Sequence, residues 1–145
     1  MKKRLNKNLI ERFSRQIILK NIGILGQKKI LASKVLVVGV GGLGSSAAEF
    51  LVRSGVGKLG IIDYDKVSLS TLHRQSLYET LHVGKSKVLV IKKILNRINP
   101  NTKVQTYNFR LNNINFKKII KKYDYIVDGS DNFKTKFLLN DYCLT

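Results

Sequence analysis

Lys34-Val-Leu-Val-Val-Gly-Val-Gly-Gly-Leu-Gly44 decides the fold. Its apolar run, Val35 to Val38, ends in glycines at 39, 41, 42 and 44. A strand buried on both faces reads as such a continuous run. A glycine-rich turn followed by helix-compatible sequence, here Ser45 to Ser54, lets the backbone approach a ligand that side chains would exclude. The helix start then aims N–H groups and the positive end of its dipole at that ligand, which favours an anion such as phosphate. Gly39 is expected to make the tight turn. Gly41, Gly42 and Gly44 are expected to allow close phosphate approach and close helix–strand packing.

Working outward, strands and helices alternate. Residues 8–20 carry apolar side chains at helical spacing and 26–32 read as a second short helix. After the first strand (34–38) and its helix, Gly55 and Gly57 break the chain before a strand at 58–62. Residues 64–81 show no clean period and read as a long functional loop with short helical pieces. An amphipathic helix follows at 86–98, stopped by Asn99-Pro100-Asn101. The chain continues with a strand at 103–108, a helix at 115–122, a strand at 123–127 and a helix at 133–144. This order predicts an α/β fold, a doubly wound parallel sheet of Rossmann-like type. The sequence stops within the last helical pattern, so the sheet is expected to be truncated after its fourth strand. The expected division is a helical segment over 1–33 and an incomplete nucleotide-binding domain over 34–145.

The acids are few, nine against 27 basic residues. Two pairs, Asp63/Asp65 and Asp128/Asp131, each follow a strand-like run. Asp63 stands where the Rossmann pattern puts a ribose-binding carboxylate. Nucleotide binding follows, with dehydrogenase and adenylate-forming chemistry both open. The loop 67–75 favours the second. Arg74, and Lys87 in the run Gly84-Lys-Ser-Lys87, would flank a triphosphate with positive charge, which a nicotinamide enzyme does not need. Asp131 has two readings of equal weight: a Mg²⁺ carboxylate at the phosphates, or the cap of the helix beginning near Phe133. His73 and His82 carry no signal for a base or a metal.

Composition narrows the classes further. The net charge of +18 invites a nucleic-acid reading, but the basic residues are mostly lysine, spread along the chain and not interleaved with aromatics as a single-strand binder needs. A solvated basic surface is expected, with no nucleic-acid partner. No apolar stretch is long enough to span a membrane, and no membrane partner is expected. The single cysteine, Cys143, excludes an internal disulfide, fits a reducing, cytoplasmic location and cannot by itself build a thiolate zinc site. It reads as a small buried residue on a helix face.

The whole chain resembles the activating enzymes of ubiquitin-like proteins, in their bacterial branch: the adenylyltransferases of molybdopterin synthase and of the thiamine sulfur carrier. The resemblance rests on RFSRQIIL at 12–19, GVGGLGS at 39–45, GVGKLGIIDYDKVSLSTLHRQ at 55–75, VGKSK at 83–87, RINP at 97–100 and VDGSDNFKTKFLLND at 127–141. It implies an ATP-dependent enzyme that adenylates the C-terminal carboxylate of a small ubiquitin-like sulfur carrier. It implies that Gly42 contacts the ATP phosphates and Asp63 the ribose. Arg74 and Lys87 bind phosphate, and Asp131, next to Asn132, serves Mg²⁺ and catalysis. Arg15 reaches across a homodimer interface into the neighbouring site. The family usually has asparagine where this chain has Thr71. Its zinc-binding cysteine pairs and carrier-docking surface lie beyond the matched region, so Zn²⁺ is expected only there. The other readings are an NAD-dependent oxidoreductase and a non-catalytic nucleotide-binding fragment.

Overall fold

The computed structural model describes residues 5–143. Its single sheet is formed by β1 (Lys34–Val38), β2 (Lys58–Ile62), β3 (Lys103–Tyr107) and β4 (Tyr125–Asp128), in the order β3-β2-β1-β4. All three pairings are parallel, with Val38 opposite Ile62 and Asp128. The helices are α1 (Lys7–Arg12), α2 (Ser14–Ile17), α3 (Gly23–Ala32), α4 (Gly42–Ser54), α5 (Lys87–Ile98), α6 (Asn113–Ile120) and α7 (Phe133–Cys143).

The continuous apolar runs of β1 and β2 exist because both faces of the sheet are covered. Val35, Val37, Leu59 and Ile61 point into one core with Ala48 and Val52 of α4 and Val88, Ile91 and Leu95 of α5. The alternate residues Leu36, Val38 and Ile62 point into a second core with Phe116 and Ile119 of α6 and Leu139 of α7. Burying one such aliphatic side chain contributes about 1.5–3 kcal/mol. A truncation such as Ile61→Ala belongs to the class that costs about 2–5 kcal/mol.

The chain leaves β1 for β2 on one side and returns through β4 on the other. The crevice at the carboxyl ends of β1 and β4 is therefore the topological switch point, where such sheets bind ligands. At the opposite end, Lys34, Lys58 and Lys103 lie in register at the first positions of three strands. Partial burial, then the charges of Lys103, Lys122 and Lys34, lower the Lys58 pKa.

Several boundaries differ from the pattern reading, and three of them have a visible physical cause. The helix expected over 8–20 breaks at Phe13, whose ring is fully buried against Gly55 and Gln27. Reaching that contact ends α1 and starts α2. Helix α4 begins three residues early, at Gly42, because Gly41 serves as its cap. The strand expected from 123 begins at Tyr125: Tyr123 is a buried ring packed over Gly60, its hydroxyl 3.1 Å from that of Tyr107. Leu144, expected to continue the last helix, lies outside the described residues.

Candidate functional site

The glycine turn is built by close backbone approach. Gly39 has φ of +81°, a conformation that side chains other than hydrogen rarely adopt. Its N–H donates to Ile62 O, and the Gly129 N–H donates to Val38 O, both at 2.8 Å. Gly44 is packed so tightly under the Gly39 carbonyl that any Cβ would collide with it. This contact brings the start of α4 against the ends of β1 and β4. No side chain caps α4, so the N–H groups of its first turn are available to a ligand.

Asp63, at the end of β2, locks the turn. Its Oδ2 accepts from Val40 N–H and its Oδ1 from Asp65 N–H, both at 2.8 Å. Each oxygen keeps a further lone pair for a ribose hydroxyl. The buried hydroxyl of Tyr78 donates to Val40 O at 2.9 Å, so the Val40 peptide is held from both sides. Burial, and secondarily the Asp63 charge, push the Tyr78 pKa far up, which keeps its hydroxyl a donor.

The loop after β2 folds back on itself. Lys87 N–H donates to Asp65 O at 3.0 Å, Val67 N–H to Lys85 O at 2.9 Å and Gly84 N–H to Val67 O at 2.8 Å. These bonds deliver Lys87, the first residue of α5, to the same crevice. Its ammonium is buried and donates to Asp65 Oδ2 at 3.3 Å. Thr71 spends its hydroxyl locally, donating to Ser68 O at 2.8 Å. The Arg74 guanidinium is exposed, 3.4 Å from Ser70 O and from His73 Nε2. His82 accepts from Glu79 N–H within its own short turn.

Beyond β4, Asp128 accepts from the Ser130 hydroxyl at 2.6 Å, the Ser130 N–H at 2.9 Å and Lys136 Nζ at 3.2 Å. Partial burial pushes the Asp128 carboxyl up, but these hydrogen bonds and the Lys136 charge outweigh it and hold the pKa below the usual value. The helix cap falls to Asn132, whose Oδ1 accepts from Thr135 N–H at 2.9 Å. Asp131 is thereby released from the capping role: it is exposed and makes no hydrogen bond or ion pair among the described residues.

One cleft of about 800 Å³ is lined by Gly39, Gly41, Gly42, Asp63, Arg74, Lys87, Asp131 and Asn132. Gly44 lies beneath it, in the packing of α4. Arg15 lies on α2, exposed, and does not line it. Sequence reasoning noted Asp65 as one of an acidic pair but gave it no role; here it pairs Lys87. It passed over other lining residues: Gln75; Phe109, Arg110 and Leu111 after β3; and Lys136. Arg110 stands over the Tyr64 ring, 5.5 Å from its centroid. The signal available for Arg110 was its place just after a strand's carboxyl end. Cys143 is exposed at the end of α7, which corrects its reading as a buried residue: it lies one turn beyond Leu139 on the same face, at the helix's last residue, where the core no longer covers it.

A parallel sheet wound in both directions from β1, with a glycine turn and a carboxylate at the switch point, defines a Rossmann-like domain. More narrowly, the chain belongs to the ThiF family, whose profile matches residues 13–145. It is 45% identical over 141 residues to "Adenylyltransferase and sulfurtransferase MOCS3" of Aedes aegypti, covering 97% of this chain and 32% of that protein. It is 44% identical over 138 residues to "Sulfur carrier protein adenylyltransferase" of Thermus thermophilus, covering 95% and 51%. Among solved structures, it resembles E. coli tRNA N6-threonylcarbamoyladenosine dehydratase, TcdA, in complex with ATP, at a TM-score of 0.90 and 28% identity, over 98% of this chain and 58% of that one. The chain thus spans about a third to a half of the length of the curated relatives it matches.

Proposed function

We propose that the protein adenylates the C-terminal carboxylate of a small ubiquitin-like sulfur-carrier protein. The carboxylate oxygen attacks the α-phosphorus of ATP, the bond to the bridging oxygen breaks, and pyrophosphate leaves with that electron pair. The product is an acyl-adenylate. No general base is needed, because the carboxylate is ionised at pH 7.

The observation that carries this reading is the convergence of five elements on one cleft: the uncapped start of α4, Asp63, Arg74, Lys87 and the unpartnered Asp131. In this reading Asp63 holds the ribose, the first N–H groups of α4 hold phosphate, and Arg74 and Lys87 neutralise charge that builds on the leaving pyrophosphate. The two cations favour a triphosphate over a nicotinamide dinucleotide. Asp131 fits Mg²⁺, which takes one or two carboxylates together with substrate phosphates. Such an ion would polarise the reacting phosphoryl group. The segment 1–33 supplies Arg15 to the cleft of a second copy, which makes the working unit a homodimer. The pathway served is molybdopterin or thiamine sulfur transfer, and the location is the cytoplasm. No helix among the described residues is long and apolar enough to cross a membrane.

Carrier-dependent exchange of labelled pyrophosphate into ATP tests the proposal. Exchange that requires both the carrier and its free C-terminal carboxylate is expected. Binding of NAD in preference to Mg-ATP overturns it.

A further inference from the structure

Gln75 is the most deeply buried polar side chain lining the cleft, 3% exposed. Its main chain is fully used: its N–H donates to Thr71 O at 3.2 Å and its carbonyl accepts from Tyr78 N–H at 3.0 Å. Its carboxamide is not. Oε1 is buried with no hydrogen-bond partner, and Nε2 donates to no group among the described residues. A buried amide left unpaired costs about 1–3 kcal/mol, so such a group calls for a partner.

The position of the amide indicates that partner. Around Gly41, the space that a Cβ would enter is bordered by a single neighbouring atom, Gln75 Nε2, at 3.7 Å. The first turn of α4 begins at the next residue with its N–H groups uncapped. On the other side, Arg74 O lies 3.3 Å from the equivalent position on Gly42. The hollow over Gly41 is therefore bordered by the uncapped N–H donors of α4 and by the Gln75 carboxamide, with the Arg74 carbonyl, an acceptor, beside it at Gly42. It also adjoins the chain that carries Arg74.

We propose that Gln75 is a phosphate-binding residue of this cleft, its buried carboxamide completing the anion cradle over Gly41 and Gly42 by donating to a phosphate oxygen of the nucleotide. The inference rests on the nucleotide reading above and adds a ligand contact to it. It gives the Nε2–H an acceptor; the buried Oε1, itself an acceptor, gains none from a phosphate oxygen. An isolated buried amide would be selected against on stability alone, whereas a bound phosphate gives its N–H a charged acceptor. A neighbouring phosphate also gives the amide dipole a field in which to align.

Gln75→Leu, nearly isosteric, and Gln75→Glu, isosteric but anionic, test it. Affinities for Mg-ATP, tripolyphosphate and adenosine are measured by titration calorimetry, and melting temperature without ligand by calorimetry. Gln75→Leu is expected to bind Mg-ATP and tripolyphosphate about 10- to 100-fold more weakly, the range for losing one hydrogen bond to a charged group. Its adenosine affinity should be unchanged, and its melting temperature equal or higher, because an unpaired amide has been removed. Gln75→Glu should lose ATP affinity further, by repulsion between its carboxylate and the phosphates. ATP affinity within twofold of wild type in both variants overturns the inference. So does a lower melting temperature with equal losses for ATP and adenosine, the mark of a structural role. Wild-type protein that binds neither ATP nor tripolyphosphate overturns the nucleotide reading and the inference with it.

Discussion

Lys87 Nζ lies 3.3 Å from Asp65 Oδ2, and the two partners are unequally buried: the lysine side chain is 7% exposed, the aspartate 49%. The cleft therefore holds a desolvated cation restrained by one solvated carboxylate. A nucleotide phosphate entering the cleft competes with Asp65 for that ammonium. Asp65→Ala should destabilise the unliganded protein by about 1–3 kcal/mol, the cost of leaving a buried polar group without its partner. Saturating Mg-ATP should then restore most of the loss, because phosphate replaces the carboxylate. Thermal denaturation with and without ligand reads both effects. A ligand-induced shift no larger than that of wild type would show that Lys87 does not meet phosphate. Lys87→Met should leave the fold stable and lower ATP affinity at least tenfold.

Asp131 and Asn132 are adjacent but separable. Asn132 accepts the α7 N–H bond from Thr135, whereas Asp131 has no bonding partner among the described residues. Asn132→Ala should cost about 1 kcal/mol, the usual effect of losing a cap. Asp131→Asn should leave the melting temperature unchanged and abolish pyrophosphate exchange. Normal exchange in Asp131→Asn would remove this carboxylate from the site.

The pH dependence of stability should locate Asp128. Its folded pKa lies below the unfolded value, since Ser130 and Lys136 favour the ionised form over the opposing effect of burial. Its contribution is therefore present above the unfolded pKa, about 3.9, and is lost as pH falls through the folded value. Wild type and Asp128→Asn should differ in stability at neutral pH and converge below pH ~4. A constant difference down to pH ~2 would contradict the assignment.

The strands of this fold were legible because they are local. The β1 and β2 runs end at glycines or begin after them, and the boundaries 34–38 and 58–62 coincide with the pattern reading. Helix breaks were less legible. Phe13 interrupts a good helical period because of Gly55, far away in sequence, and periodicity carries no such information. Tyr123 looks like a strand residue by type, yet its ring is spent on the core beside Gly60. In the site, the residues named from the sequence that the structure brings to one cleft include those set by spacing from the glycine turn or by charge: Gly41, Gly42, Asp63, Arg74 and Lys87. Tyr78 and Gln75 escaped notice, and Asp65 was noted only as one of an acidic pair, because their roles arise from the loop folding back on α5 and β1, a long-range arrangement. The Asn132 cap shows a limit of another kind: two adjacent residues, both good caps by type, can be told apart only by geometry.

Arg15 is the one residue proposed as catalytic that lies outside the cleft. It sits on α2, exposed, on a helix pair that precedes the sheet. If it acts on its own subunit, α2 must move to bring it in, and a mixture of defective subunits gains nothing. If it acts on the partner's cleft, the two defects are complementary. Arg15→Ala protein mixed with Lys87→Ala protein then forms heterodimers in which one cleft has lost both residues and the other keeps both. With random reassortment, half of the dimers are mixed and each carries one intact cleft, so exchange activity should recover to about a quarter of wild type, on the assumption that clefts act independently. The loss in each parent should be large, because an arginine delivered to a phosphoryl-transfer site can be worth about 10³–10⁵ in rate. The assay is carrier-dependent pyrophosphate exchange after brief denaturation and joint refolding to scramble the subunits. Recovery to the calculated fraction would place Arg15 in the neighbouring cleft. Activity that never rises above the two parents would assign it to its own helix and remove the dimer from the mechanism.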